Sequence, residues 1–214
     1  MGELKIIPAT GALGAEVSGI DLAPASQTAL SQVKAALDEH LVLYLPDQQL
    51  DRFGLDRLGR FFGPPFLHPS VNNGFPDCPS VLELLRRPED AISFGGEGWH
   101  ADVTWNWYLR REDPQWTVTH PVVRSHPVTG RRGLYVNGLF TNRFKDMRLE
   151  ESAPLLHFLC TSMERHEFTC RFRWRPGGVV LWDNRFTLHY PMNDMAGKQR
   201  RMIRTTSMEI AMDN

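Results

Sequence analysis

His100 and Asp102 stand two positions apart in Trp99-His100-Ala101-Asp102-Val103-Thr104-Trp105, where bulky apolar and polar residues alternate. On a strand, residues i and i+2 project from one face, so an imidazole and a carboxylate would come within reach of one ion. His189 is the candidate third ligand. It follows Val179-Val180-Leu181-Trp182, which reads as a buried strand, and the turn-like Asp183-Asn184-Arg185. Two histidines and one carboxylate leave open positions on an octahedral ion, as in the facial triad of non-haem iron(II) oxygenases. A His-x-Asp pair alone is common and carries little weight.

A further element raises that weight. In Gln199-Arg200-Arg201-Met202-Ile203-Arg204-Thr205-Thr206, strand alternation puts Arg200, Met202, Arg204 and Thr206 on one face. An arginine facing inward needs an anionic partner, because an unpaired buried charge is costly. Its planar fork suits a carboxylate bidentately. The competing reading is a solvated edge of arginines. His40, His120, His126, His157 and His166 have no ligand-like spacing to a second ligand and read as core or surface residues. Neither Gly11-Ala12-Leu13-Gly14 nor Gly95-Gly96-Glu97-Gly98 sits between a strand and a helix, so both read as turns rather than dinucleotide cradles.

The positioning elements follow from periodicity and punctuation. Residues 4–8 and 15–20 read as short strands around Thr10-Gly11. Ala25 to His40 reads as a helix with Ser26 as N-cap and an apolar stripe of Ala29, Val33, Ala36 and Leu37. Leu41 to Leu45 reads as a buried strand, and Phe53 to Phe62 as a helix stopped by Gly63-Pro64-Pro65. Short β-like runs follow at 80–85, 99–105, 117–124, 132–136, 168–174, 178–182 and 201–210. A helix is expected over 150–163, with Pro154 in its first turn. Early helices and many later strands point to an α+β fold with a jelly-roll core.

Composition bounds the function. The chain has 214 residues, 42% hydrophobic and 23% charged, which suits one globular domain over 1–214. A net charge of −1 gives no global electrostatic case for nucleic acid or an anionic membrane. No apolar run approaches the ~20 residues a membrane span needs. Met1-Gly2-Glu3-Leu4-Lys5 does not read as a secretory signal. Cys78, Cys160 and Cys170 read as free thiols in a reducing compartment, so a cytoplasmic location is expected.

Taken together, these stretches resemble the taurine dioxygenase family of iron(II)- and 2-oxoglutarate-dependent oxygenases, which includes phenoxyalkanoate-herbicide and alkylsulfate dioxygenases. The matching segments are Thr10 to Glu16 with Gly19-Ile20-Asp21-Leu22, Phe62-Gly63-Pro64, Trp99 to Thr104, His120-Pro121-Val122-Val123-Arg124 and Tyr135-Val136-Asn137. Phe168 to Trp174, Leu181 to Arg185 with His189-Tyr190, and Arg200 to Thr206 complete the series in family order.

The resemblance implies a double-stranded β-helix holding Fe(II) through His100, Asp102 and His189. It implies that Arg204 binds the distal carboxylate of 2-oxoglutarate, with Arg200 close by, and that His68, Phe140 and Asn137 face the substrate. The implied reaction uses O2 to convert 2-oxoglutarate to succinate and CO2 while a small, anionic organic substrate is hydroxylated. Many members hydroxylate a carbon next to a heteroatom, and the product then fragments. A homo-oligomer is expected. The family also carries a Gly-Gly-Asp-Thr motif, a core strand and a lid between its His-x-Asp and His-Pro-Val-Val motifs. Here Asp102 and His120 are eighteen positions apart and that motif is absent. A missing segment is therefore expected between about 105 and 113. Val71 stands where an aromatic residue is expected near His68, which disfavours taurine itself. Two other readings are a non-catalytic jelly-roll remnant that binds a ligand and a hydrolase using another metal at the same triad.

Overall fold

The computed structural model describes residues 4–67, 73–90, 98–102, 119–192, 194 and 197–208. In chain order, the elements are β1 (Lys5–Pro8), β2 (Ala15–Ser18), α1 (Gln27–His40), β3 (Val42–Leu45), α2 (Arg52–Phe62), β4 (Gly74–Phe75) and β5 (Cys78–Arg86). They continue with β6 (Val123–Ser125), β7 (Arg132–Leu134), α3 (Leu149–Met163), β8 (Val179–Trp182) and β9 (Arg200–Thr205). Among the described residues the strands form three sheets, ordered β1-β2-β3-β8, β4-β5-β9 and β6-β7. The mixed α+β class is as expected.

The first sheet and the two early helices form the main core. Ser26 adopts an extended backbone, and its hydroxyl accepts from the Ala29 N–H at 3.3 Å, so α1 begins just after it. One face of α1 buries Leu30, Val33 and Ala36 against Ala15, Val17, Leu43 and Leu45 of the sheet. Burying a Leu or Val side chain stabilises by roughly 1.5–3 kcal/mol, so this layer anchors the fold. Gln48, also buried, is satisfied on both ends of its amide: it accepts from Leu22 N–H and donates to the carbonyls of Ile20 and Pro46.

Helix α2 joins that core to the second sheet. Leu55 and Leu58 are buried in the same cluster as Val81 of β5. Gly59 weakens helix propensity, yet a Cβ there would lie 2.8 Å from Thr205 Cγ2. Glycine is what lets α2 approach β9 this closely. β9 pairs antiparallel with β5, from Val81 opposite Thr205 to Arg86 opposite Arg200.

Several expected strands take other forms. Over 99–102 the only ladder contact among the described residues is an isolated bridge between His100 and His189. Of the run at 117–124, residues 117 and 118 lie outside the described residues, and among the rest Val123 and Arg124 join β6. Residues 168–174 form no strand; a single 3₁₀ turn, His166–Phe168, leads into irregular chain. Aromatic–arginine alternation there serves packing over the sheet instead: Phe172 and Trp174 lie 5.5 and 6.3 Å from the Tyr44 ring, and Arg171 pairs with Asp194. α3 begins at Leu149, so Pro154 falls in its second turn rather than its first. His68 and the expected junction between 105 and 113 lie outside the described residues. Among the described residues no helix is long and apolar enough to cross a membrane.

Candidate metal centre

Two backbone hydrogen bonds set the geometry of the centre. His100 N–H donates to the His189 carbonyl at 3.0 Å, and His189 N–H donates to the His100 carbonyl at 2.8 Å. The rings are thereby brought to 4.3 Å between centroids. Asp102 projects to the same place, and one ligand atom from each of His100, Asp102 and His189 lies within 4.8 Å of the others. The alternation expected of His-x-Asp is met by this short bridged segment.

Tautomer and protonation favour ligation. His100 is buried, and its Nδ1 lies 3.0 Å from the Gly98 carbonyl. A carbonyl only accepts, so Nδ1 carries the proton and Nε2 keeps its lone pair for a metal. Gly98 has a φ of 115°, a conformation open to glycine, in turning its carbonyl toward that ring. His189 has its pKa lowered to about 4. Burial is the main cause; Asp102 opposes it, while His100 and Arg204 add to it. The imidazole is therefore neutral at neutral pH, as a ligand must be.

The centre also carries unspent polar capacity. Asp102 Oδ2, His189 Nδ1 and Arg204 Nε are buried and have no hydrogen-bond partner. Arg204 Nη2 does lie 2.6 Å from Asp102 Oδ2, close but off the donor axis, so the contact is an ion pair rather than an aligned hydrogen bond. His189 Nε2 is 3.5 Å from the same oxygen. Two imidazoles and a carboxylate around a common point fit a divalent first-row ion that keeps open positions.

Arg204 sits on the triad's side of β9, as its spacing implied. Its guanidinium lies 5.5 Å from the Trp182 ring centroid and reaches Thr206 Oγ1 at 3.3 Å. Trp182 also stands 5.4 Å from the His189 ring. Phe140 meets the His100 ring edge to face at 5.8 Å, which places it beside the centre. Asn137 stands just before Phe140 in the chain. It is buried, and its Oδ1 accepts from the N–H groups of Leu139 and Phe140, so it shapes the turn presenting Phe140. The free thiols expected at Cys78, Cys160 and Cys170 are found.

Sequence reasoning missed the supports. Asn184 accepts from Asp102 N–H at 2.8 Å and donates to the Asp102 carbonyl at 2.6 Å. Its amide mimics a strand partner for the residue that must not shift. Asp183, next to it, is gripped by Arg185 through both carboxylate oxygens and meets His126 Nε2 at 3.2 Å. His126 is fully buried, and its Nδ1 accepts from the N–H groups of Val128 and Thr129. Nε2 is therefore the protonated nitrogen and donates to Asp183. Burial acts to raise the Asp183 pKa, but Arg185 and then His126 outweigh it, and the carboxyl lies below its usual value. An Asp-Asn-Arg turn after a buried strand was the available signal. Its partner, eighty-two positions upstream, was not.

Comparison with known proteins agrees with this geometry. Residues 108–206 match the family described as taurine catabolism dioxygenase TauD, TfdA family. An alpha-ketoglutarate (2-oxoglutarate)-dependent sulfate ester dioxygenase of Pseudomonas putida is 29% identical over 271 residues, spanning 96% of this chain and 89% of its own. An alkylsulfatase of Acinetobacter baylyi is 26% identical, over 96% and 85%. The crystal structure of a taurine dioxygenase from Burkholderia xenovorans superposes with a TM-score of 0.79 at 28% identity, over 95% and 89%. Those alignments exceed the length of this chain, so the relatives carry stretches with no counterpart here.

Fold and site together define a mixed α+β protein with a two-histidine, one-carboxylate centre backed by an arginine. The chain is similar over most of its length to dioxygenases of the taurine dioxygenase family, TauD/TfdA.

Proposed function

We propose that this chain is an iron(II)- and 2-oxoglutarate-dependent dioxygenase that hydroxylates a small anionic organic molecule of the sulfate ester or sulfonate class. The observation that carries the reading is the convergence of His100, Asp102 and His189, with Arg204 against the carboxylate. The named relatives support the substrate class, and the fold neighbours support a double-stranded β-helix core.

His100 Nε2, the Asp102 carboxylate and His189 would hold Fe(II). When bound, the metal supplies O2 activation coupled to decarboxylation of 2-oxoglutarate, giving succinate and CO2. The residues of the chain perform the positioning. The Gly98 carbonyl fixes the His100 tautomer, and Asn184 holds the Asp102 backbone in place. Arg204 leaves Asp102 to the metal and takes the 2-oxoglutarate carboxylate in its fork. Phe140 and Trp182 keep water from the reacting face. Hydroxylating the carbon that bears the sulfate oxygen gives a product that fragments to an aldehyde and sulfate.

The test is anaerobic loading with Fe(II) and 2-oxoglutarate, then oxygen, across a panel of sulfate esters, sulfonates and aryloxyalkanoates. One sulfate ester or sulfonate should stimulate succinate formation, with sulfate or sulfite and aldehyde released in equal amount. No succinate under any of these conditions would leave a ligand-binding remnant in place of an enzyme.

A further inference from the structure

Among the described residues the β6–β7 hairpin pairs with neither of the other sheets. The turn between its strands holds His126, whose side chain is fully buried. His126 organises that turn: Nδ1 accepts from the N–H groups of Val128 and Thr129, its own N–H donates to the Arg131 carbonyl at 2.8 Å, and its carbonyl accepts from Gly130 N–H at 2.9 Å. The protonated Nε2 is left to donate away from the hairpin. Among the described residues two carboxylates stand near it. Asp38 is 3.9 Å away and is engaged by Lys34 at 2.8 Å, so the N–H goes to Asp183 at 3.2 Å.

Asp183 is held at every polar atom. Its carboxylate closes the 183–185 turn on Arg185 N–H and Nε, both at 2.9 Å. Its own N–H donates to the Leu41 carbonyl at 2.8 Å, and its carbonyl accepts from the Thr187 hydroxyl at 2.7 Å and Phe186 N–H at 3.1 Å. Asn184 lies inside that turn, and its amide pairs with both main-chain groups of Asp102. The two turns also interlock. The Phe186 ring lies 4.9 Å from the His126 ring, and a Cβ at Gly133 would come within 2.9 Å of Phe186 Cδ1. A buried polar network satisfied in this way is rigid, because any shift leaves a group unpaired.

We propose that His126 is a positioning residue for the metal centre. Through Asp183 it fixes the turn that carries Asn184, and through Asn184 it fixes the ligand Asp102. The hairpin thereby sets the place of a carboxylate it does not touch. The inference deepens the proposed function and rests on it for the presence of a metal.

Two amide variants separate this role from a local one in the hairpin. The Asn oxygen sits where Nδ1 is, so His126→Asn keeps the acceptor for Val128 and Thr129 and cannot reach Asp183. The Gln nitrogen sits where Nε2 is, so His126→Gln keeps the donor to Asp183 and loses the acceptor in the turn. The probe is Co(II) alone, added to metal-free protein in competition with a chelator where every variant is folded. Melting temperatures are recorded alongside.

His126→Asn should bind Co(II) ~3–10-fold more weakly than wild type, less than the ~10–100-fold range for groups that contact a ligand directly. His126→Gln should stay within about twofold of wild type even though it melts lower. In an Asn184→Ala background, His126→Asn should change the affinity by less than about twofold, since effects passed through one intermediary do not add. An affinity that follows the melting temperature, weakest for His126→Gln, would overturn the role. So would an undiminished effect of His126→Asn in the Asn184→Ala background, equal affinities throughout, or failure of both variants to fold, since His126 would then serve the hairpin alone. Wild type that binds no Co(II) would refute the proposed function itself, and the positioning role with it.

Discussion

The two faces of the β5–β9 ladder follow opposite rules. Toward α2, the ladder is closed: Val81 and Ile203 pack in the main core, Thr205 donates to the Ser80 carbonyl at 3.0 Å, and Glu83 neutralises Arg201. Toward the metal centre it is open. Arg86, Arg200 and Arg204 each keep a buried Nε without a partner, beside the similarly unsatisfied Asp102 Oδ2 and His189 Nδ1. Buried polar groups are normally satisfied, so a concentration of exceptions on one face marks where a ligand completes the structure. One pair of strands thus serves stability on one side and binding on the other.

The largest separation between the faces should come from His189→Ala. It should abolish iron-dependent succinate release and leave the far-UV circular dichroism unchanged, since His189 contributes its backbone, not its side chain, to the bridge with His100. Asn184→Ala should weaken metal affinity ~10–100-fold, in the range seen when groups that orient a ligand are removed, and competition with a chelator would measure it. Retained affinity would show that the Asp102 backbone is held by other contacts. Arg204→Lys keeps the charge and loses the fork; it should raise the 2-oxoglutarate requirement roughly tenfold, read from the KM of succinate formation.

Smaller effects belong to the supports. Asp183→Asn should destabilise the fold at pH 7 by roughly 2–4 kcal/mol, discounting for the partial exposure of Arg185. The sign of the pH dependence follows from the depressed Asp183 pKa. Its contribution is present above the ordinary carboxyl value of 3.8 and is lost as pH falls through the lower folded value. Denaturation curves of wild type and variant should therefore converge only below about pH 4. Smallest of all, Arg201→Ala removes a pair whose arginine is 61% exposed and should cost under ~1 kcal/mol in urea denaturation.

Much of this division was legible in the sequence. Helix α1, its Ser26 cap, the strands around Leu43 and Val180, and the alternation of Arg200 to Thr206 are local patterns, and each appears where periodicity put it. The triad was legible because a His-x-Asp pair and a later histidine are chemically unusual in combination. The strand at 168–174 failed because Phe172 and Trp174 are spent on Tyr44, a contact more than 120 residues away that no local pattern encodes. The Asn184 clamp and the Arg86–Arg200 pair were invisible for the same reason. Arg86 in Leu84-Leu85-Arg86-Arg87 looks like the solvated end of a strand until the register sets it against another arginine.

The bridge between His100 and His189 has a consequence for the unfolded chain. It joins segments about ninety residues apart through main-chain bonds alone. An ion binding both imidazoles would act as a clip across that interval, and closing a long loop in the denatured ensemble is where such a clip gains most, as in the loop-entropy account of disulfides. The folded backbone already holds the two ligands together, so the ion finds that ordering done. Loaded protein should therefore owe part of its resistance to unfolding to the same atom that serves its chemistry.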